Sequence, residues 1–390
     1  MVDLLICGVK LLDLETGTEK VGDVSVKNGK IHAVSAHTGQ GEARKVLQAD
    51  GMYLFPGFID IHTHLFAHGS TFGIDADKLL SAGTTCAVDM GSAGWINYPA
   101  FHQCDLENKQ IRLFSYLNLS PVGQPGKGIN EPLNDEIFNL GRMEELTQEY
   151  PGEIVGIKVR ISRPIVRELG LTPLKKALTF GEHMGLPVCV HTTDPPERTG
   201  NIAKILRSGD IYSHTYHGKG NTILTSDGVV QSEVFQAQKR GVQMEVGNGR
   251  INFNFPIAEQ AVSQGLWPNL ISSDATPATF HQEAAMWDLP KVMSKFLQLG
   301  MPLKEVVRAV TETPAKQLGV DKSVGLIKPG YFADLVLCQV KEGVVDFRDS
   351  DGNIRYGNQE ILPVITICDG EIRYRNEAVS SNGEIYLEKL

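Results

Sequence analysis

Eight short apolar runs recur through the middle of the 390-residue chain and alternate with stretches of helical spacing. Apolar runs that alternate with helices are typical of parallel strands whose two faces are both covered. The runs are Phe58–Ile61, Thr85–Val88, Leu113–Leu117, Ile154–Ile157, Pro187–Val190, Asp210–Ser213, Val242–Val246 and Asn269–Ser272. The pattern predicts an α/β fold with a (β/α)8 TIM-like barrel, and an open doubly wound parallel sheet is the alternative.

The two ends of the chain differ from the middle, because they consist of short strand-like runs joined by turns. The pair Asn28-Gly29 lies between two alternating apolar runs, and this setting predicts a hairpin. Similar runs near the other end are Ala333–Cys338, Ile365–Cys368 and Glu371–Arg373. We expect both termini to form one small β-sandwich, residues 1–54 plus 325–390, with the barrel, residues 55–324, inserted between them.

Charge and composition exclude several classes of protein. The chain has 37 basic and 46 acidic side chains and a formal net charge of −9, so we expect no nucleic-acid partner bound through a basic face. No run approaches the roughly 18 apolar residues of a membrane span, and Met1–Cys7 lacks a basic leader. The six cysteines are scattered without a CxxC pair. We therefore expect a cytoplasmic protein with free thiols and no membrane partner.

Ligand-type side chains stand at the end of the first apolar run, in Asp60-Ile61-His62-Thr63-His64. Alternate residues of a strand share a face, so His62 and His64 are expected to point into the barrel with Asp60 below them. Two neutral imidazoles at this spacing can bind one metal ion, although a lone HxH is a weak signal.

Four later runs also end in polar residues: Lys158, His191, His214 and Asp274. Taken singly, each has an ordinary explanation, such as a lysine that extends to solvent, a hydrogen-bonded core histidine or a helix-capping aspartate. Together they lie at the same end of successive strands, which is where barrel enzymes carry their active sites. The set therefore predicts one shared site rather than independent accidents.

With these residues the chain resembles the amidohydrolase superfamily, metal-dependent hydrolases built on a (β/α)8 barrel with an added β-sandwich. The resemblance rests on Pro56–His64, Lys158, His191, His214, Asp274, Thr313–Lys316 and Gly325–Val336. It implies two divalent metal ions, for which zinc is expected. It places His62, His64 and Asp274 on one ion and His191 and His214 on the other, and it makes Lys158 a carboxylated lysine that bridges both.

The implied chemistry is physically coherent. Burial favours the neutral amine of Lys158, and a neutral amine can capture carbon dioxide as a carbamate. Two close metal ions lower the pKa of a bridging water towards neutrality and so provide hydroxide. Asp274 is placed to accept the proton of that water and to return it to the leaving group. The predicted reaction is hydrolysis of an amide or ester bond.

Within the superfamily the chain resembles dihydroorotase-like proteins associated with deacetylation, through Gly156–Arg160 and Ser213–Gly218. Typical dihydroorotases follow the HxH pair with an arginine, whereas Leu65-Phe66-Ala67-His68 follows it here. The resemblance implies an anionic small-molecule substrate, either an O-acetyl α-hydroxy acid or an N-acetyl amino acid. A dihydroorotase-type cyclic amidase and an adenine deaminase are the alternatives, and a non-catalytic scaffold is disfavoured because all six ligand positions are filled.

Two further residues are candidates for substrate binding. Arg160 lies two residues beyond Lys158, hence on the same strand face, and its guanidinium could hold a carboxylate. His217 lies in a glycine-rich loop and either lines the pocket or faces solvent. The resemblance also implies a homo-oligomer. No role is predicted for His68, His102 and His281.

Overall fold

Two sheets contain the strands of the computed structural model, which describes residues 1–37, 42–282, 284–377 and 386–389. In chain order the strands are β1 (Val2–Leu12), β2 (Glu19–Lys27), β3 (Lys30–Ala36), β4 (Ala43–Gln48), β5 (Tyr53–Pro56), β6 (Phe58–Thr63), β7 (Thr84–Gly94), β8 (Arg112–Asn118), β9 (Ile154–Arg160), β10 (Val188–His191), β11 (Ile211–Ser213), β12 (Gln243–Met244), β13 (Leu335–Arg348), β14 (Ile354–Cys368), β15 (Glu371–Arg375) and β16 (Tyr386–Lys389). The α-helices are α1 (Tyr98–Phe101), α2 (Leu140–Glu149), α3 (Arg163–Val166), α4 (Thr172–Met184), α5 (Thr199–Ile205), α6 (Ser232–Lys239), α7 (Phe255–Ser263), α8 (Leu289–Gln298), α9 (Leu303–Arg308) and α10 (Glu312–Gln317). Short 3₁₀ or π segments lie at Ala76–Ala82, His102–Leu106, Asp135–Ile137 and Arg167–Leu169.

One sheet is parallel and follows chain order from β6 to β12. Seven of the eight predicted runs therefore pair in the expected sequence. The eighth run forms isolated bridges instead of a strand: Leu270 bridges to Glu245 beyond β12, and Ala275 bridges to Thr63 of β6. Between these bridges Asp274 has a left-handed φ of 55°, which interrupts the ladder. Because one segment touches both edges, the parallel sheet is curled.

Helix α4 illustrates how the connecting helices pack against this sheet. Pro173 lies in its first turn, where the missing N–H costs no hydrogen bond. Gly185 ends the helix with φ 66°, a conformation that glycine adopts without strain. The buried residues of α4 recur at helical spacing and are Pro173, Leu174, Ala177, Leu178, Phe180 and Gly181.

The other sheet is built from both termini. Its main path is β15-β14-β13-β5-β1-β2-β3, and β4 joins β1 and β16. The first half of β1 pairs with β4 and the second half with β5, so the sheet forks near Gly8, whose φ is 71°. The predicted hairpin is confirmed, because Lys27 pairs with Lys30 across Asn28 and Gly29, both with positive φ. This sheet extends through β5 to Pro56, slightly beyond the predicted boundary at residue 54.

Strands β13 and β14 form a long hairpin that reaches the parallel sheet. At its tip, Ser350 N donates to Phe253 O at 3.0 Å, and Phe255 N donates to Asp349 Oδ2 at 2.8 Å. Phe253 follows β12, so the tip contacts the end of the parallel sheet at which the predicted site residues lie.

The six cysteines are free thiols, and all except Cys104 are buried. Over the parts of the chain that the structure describes, no helix combines the length and apolarity that crossing a membrane requires.

Gly83 lies where the two sheets meet. Its φ is 77°, and a Cβ there would lie 2.7 Å from Val336 Cγ2 and 3.0 Å from Phe58 Cδ2. Gly83→Ala combines backbone strain with overpacking, so we expect it to lower the free energy of unfolding by about 2–4 kcal/mol. Gly185→Ala is the control, because its φ is 66° but nothing lies within 4 Å. It should cost about 1–2 kcal/mol. Urea denaturation compares the two variants, and equal losses would contradict tight packing at Gly83.

Candidate active site

The first cluster of predicted ligands lies at the end of β6. All residues of β6 are buried, and its alternation places His62 and His64 on one face. Their Nε2 atoms lie 3.5 Å and 3.2 Å from Asp274 Oδ1. Ser92 Oγ lies 2.9 Å from His64 Nδ1, which fixes the ring with Nε2 towards Asp274. The structure thus brings together the three residues predicted to hold the first ion, with donor atoms within 4.8 Å of one another.

The second predicted cluster lines the same cavity. The ring centroids of His191 and His214 are 4.3 Å apart. His214 Nδ1 lies 2.8 Å from Gly247 O, so it donates its proton there and leaves the lone pair of Nε2 free. Lys158 is only 1% exposed, and its Nζ lies 3.5 Å from Cys189 Sγ. His191, His214 and Lys158 could therefore serve together as ligands of one metal ion.

The surroundings of Lys158 are unusual for a lysine. Among the described residues, no carboxylate lies within 4.0 Å of its Nζ. A buried ammonium without a counterion is costly. Its stem packs against Gly91, where a Cβ would lie 2.5 Å from Lys158 Cβ. This environment fits the predicted carboxylated side chain better than a free ammonium.

The protonation states of the cluster suit metal binding. Burial lowers the pKa of His62 and of His191 well below the ordinary histidine value, and it lowers the pKa of His214 to about 3. These rings are therefore neutral at physiological pH, the state that binds a metal ion. Burial opposes ionisation of Asp274, yet His62 and His64 hold the pKa of this carboxyl below its usual value. Neutral imidazoles with a carboxylate are a ligand set that zinc accepts.

Asp274 is held from both sides. While Oδ1 faces the histidines of β6, Oδ2 accepts a hydrogen bond from Asn252 Nδ2 at 2.8 Å. Gly249 passes so close that a Cβ there would lie 2.2 Å from Asp274 Oδ2. The loop after β12 therefore determines the orientation of the predicted catalytic carboxylate.

Glu245, immediately beyond β12, is a fully buried carboxylate in the same region. It accepts hydrogen bonds from Ser213 Oγ at 2.6 Å and from Ser272 Oγ, and its Oε1 lies 3.3 Å from His62 Nδ1. Its donor atoms also form a candidate metal group with His62 and His214. Because serine hydroxyls occupy both of its oxygens, we assign Glu245 to orienting His62 rather than to binding metal.

Sequence reasoning missed Glu245 and Asn252. Glu245 stands in the seventh apolar run, so the strand-end criterion that selected the other residues could have found it. Asn252 has no such signal, because it lies on a loop and its link to Asp274 depends on tertiary structure.

The two predicted substrate-binding residues have different positions. Arg160 lines the cavity, and its Nε and Nη2 form a bidentate ion pair with Glu131, in which Nη2 lies 2.7 Å from Oε2. Nη1 and the second N–H of Nη2 remain to donate to a ligand. His217 is not among the lining residues, contrary to the prediction of substrate contact. Its ring is buried, and its Nδ1 accepts a hydrogen bond from Lys219 N at 3.2 Å within the same loop. Burial lowers the pKa of His217 to about 4.

The cavity has a volume of about 640 Å³ and is lined by all six predicted ligands. The remaining histidines without a predicted role lie elsewhere: His68 pairs with Asp105 and His102 with Glu153, while His281 stacks on Phe280. The other lining residues are Thr71, Phe72, Gln124, Lys127, Arg160, Arg250, Ile251, Asn252, Thr276, Ala278 and Thr279.

Comparisons with known proteins agree with this geometry. Residues 53–373 match the amidohydrolase family. The deacetylase Atu3266 of Agrobacterium fabrum is 30% identical over 329 residues, which cover 84% of this chain and 80% of that protein. The crystal structure of an adenine deaminase is similar with a TM-score of 0.88 at 27% identity, covering 96% of this chain and 100% of that one. That of a dihydroorotase has a TM-score of 0.85 at 28% identity, covering 95% and 97%. The chain belongs to the amidohydrolase family.

Proposed function

We propose that the protein is a metal-dependent deacetylase that removes an acetyl group from a small carboxylate, either an O-acetyl α-hydroxy acid or an N-acetyl amino acid. One observation carries the hydrolase assignment: six buried polar residues, from the ends of four strands and from the segment at Asp274, converge on a single cavity. The similarity to a deacetylase supports the choice of acyl group.

We propose that the cavity holds two divalent ions, which we take to be zinc. His62, His64 and Asp274 would hold one ion, His191 and His214 the other, and a carboxylated Lys158 would join the two. The neutral state of His62, His191 and His214 and the lack of a carboxylate near Lys158 Nζ support this assignment. When bound, such ions supply Lewis acidity for a carbonyl and lower the pKa of water.

In the proposed mechanism the protein's own groups position the reactants and move the proton. Asp274 accepts a proton from water as the water oxygen attacks the acetyl carbonyl, and it donates that proton to the leaving oxygen or nitrogen when the acyl bond breaks. The products are acetate and the free hydroxy or amino acid. Asn252 donates to Asp274 Oδ2 and so holds the orientation of this carboxylate.

Recognition of an anionic substrate is supported by three cationic residues in the cavity lining, Lys127, Arg160 and Arg250. Glu131 fixes Arg160 and leaves its Nη1 and the second N–H of its Nη2 to donate to a substrate carboxylate. Among the described residues, neither Lys127 nor Arg250 has a carboxylate within 4.0 Å. A cationic lining favours a carboxylate substrate over a neutral purine.

The alternatives are a cyclic amidase of the dihydroorotase type and an adenine deaminase, and both are favoured by structural similarity. No arginine follows the HxH pair in this chain, where the next residues are Leu65, Phe66, Ala67 and His68, and Leu65 and Phe66 are both buried. Neither of these two apolar side chains can hold the carboxylate of dihydroorotate.

An assay panel separates these functions. The zinc-loaded protein should hydrolyse O-acetyl α-hydroxy acids or N-acetyl amino acids and should leave dihydroorotate and adenine unchanged. Acetate release, ring opening and ammonia release are measured on the same preparation. Turnover of dihydroorotate or adenine without acetate release would replace deacetylation by the corresponding alternative.

Removal of the proposed bridge should affect metal content. We expect Lys158→Ala to retain less zinc after dialysis and to lose activity by at least about 10²-fold, because the shared anionic ligand is gone. Elemental analysis and kinetics measure the two effects. Lys176→Ala, at a partly exposed lysine paired with Asp135, is the control. Full zinc content and activity in Lys158→Ala would contradict the bridge.

The role of Arg160 can be tested with charged and uncharged substrates. We expect Arg160→Met to raise KM for an acetylated carboxylate by about 10- to 100-fold, since a charge-assisted hydrogen bond contributes about 1.5–3 kcal/mol. The methyl ester of the same substrate should be affected much less. Arg163→Met is the control, because Arg163 pairs with Asp194 and does not line the cavity. Equal effects on both substrates would assign Arg160 to structure alone.

A further inference from the structure

Lys295 is a fully buried lysine outside the metal cluster. It lies on the inward face of α8, beside Val292 and Phe296, and has 0% exposure. Lysine is almost never fully buried unless it is paired. Among the described residues no carboxylate lies within 4.0 Å of its Nζ, and the proposed mechanism does not use it. Its burial therefore requires another explanation.

The Nζ of Lys295 is satisfied by two neutral oxygens. It donates to Asn248 Oδ1 at 2.7 Å and to Ala285 O. Asn248 Nδ2 donates in turn to Ala285 O and to Gly249 O, both at 2.9 Å. The ring of Phe253 lies 4.8 Å from Nζ and provides an aromatic face for the cation. Lys295 is thus the centre of a small buried network.

This network joins two segments that both line the cavity. Asn248 belongs to the loop after β12, and Ala285 belongs to the segment that follows Asp274. The first segment contributes Arg250 and Asn252 to the cavity, and the second contributes Thr276, Ala278 and Thr279. Lys295 itself does not line the cavity, so it acts on the site only through these neighbours.

We propose that Lys295 is a positioning residue that ties these two segments together. In doing so it fixes the cavity wall that carries Arg250, and through Asn252 it fixes the orientation of Asp274. The chain of contacts is short: Asn248 and Asn252 share one loop, and Asn252 Nδ2 donates to Asp274 Oδ2 at 2.8 Å.

The hydrogen bonds from Lys295 Nζ to the two segments do not depend on the charge of the amine. Burial lowers the pKa of Lys295 to about 7, and Lys291 lowers it further, while Asp349 opposes the shift. The ammonium has three N–H donors and the neutral amine has two. Because both acceptors are oxygens, either form can make both hydrogen bonds.

The test compares Lys295→Met with Lys291→Met by hydrogen–deuterium exchange and kinetics. Methionine preserves much of the buried stem but has no donor. We expect Lys295→Met to accelerate amide exchange at least about 10-fold in residues 247–255 and 276–282, with β6 to β9 unchanged. We also expect kcat/KM to fall about 10- to 100-fold at unchanged zinc content. Lys291→Met removes a lysine of the same helix that pairs with Glu360, and it should change neither readout.

If Lys295→Met does not fold, Asn248→Ala removes the same hydrogen bond from the other side. It should loosen the same residues, and the double variant should show no further loss of kcat/KM, since both changes break one network. Unchanged exchange in the two segments, or additive losses, would overturn the proposal. The kinetic measurement rests on the proposed function, whereas the exchange measurement needs no substrate. If Lys295→Met accelerates exchange in the two segments but the unchanged protein does not deacetylate any substrate, only the proposed function is contradicted.

Discussion

The structure depends on the burial of ionisable side chains at one end of a parallel sheet. Buried polar groups are tolerated only when they are neutral, paired or hydrogen-bonded. His62, His191 and His214 are neutral, and Asp274 is held between His64 and Asn252. Lys158 differs from them, because its Nζ donates only a weak hydrogen bond to Cys189 Sγ at 3.5 Å and has no carboxylate within 4.0 Å among the described residues. This environment is the physical reason for proposing a carboxylated side chain at Lys158.

Curling of the sheet brings this set together. Asp274 reaches the β6 histidines because Ala275 bridges to Thr63, and Ser273 N donates to Asp60 Oδ1 at 3.0 Å. Burial raises the pKa of Asp60 to about 7, although the hydrogen bonds from Ser273 oppose that shift. Asp60 therefore joins the ends of the sheet instead of serving as a ligand. The hairpin of β13 and β14 contacts the loop beyond Asn252, so the terminal sheet also supports the site.

Local patterns predicted much of this arrangement. Apolar runs and strand-end residues identified seven strands and the six residues around the cavity, because strand periodicity and the position of the strand end are local properties. Contacts between residues that are distant in sequence could not be predicted from such local patterns. Glu131 reaches Arg160 from a loop, Lys295 reaches Asn248 from α8, and the burial of His217 depends on how its own loop folds. The eighth run failed as a strand because its backbone turns at Asp274.

We propose that the six residues around the cavity form one centre for two metal ions. Anomalous diffraction at the zinc edge from crystals of the zinc-loaded protein can locate those ions. We expect two peaks, one beside His62, His64 and Asp274 and one beside His191 and His214, with electron density for a carboxylate continuous with Lys158 Nζ. A single peak held by His62, His214 and Glu245, or an unmodified Lys158, would contradict it.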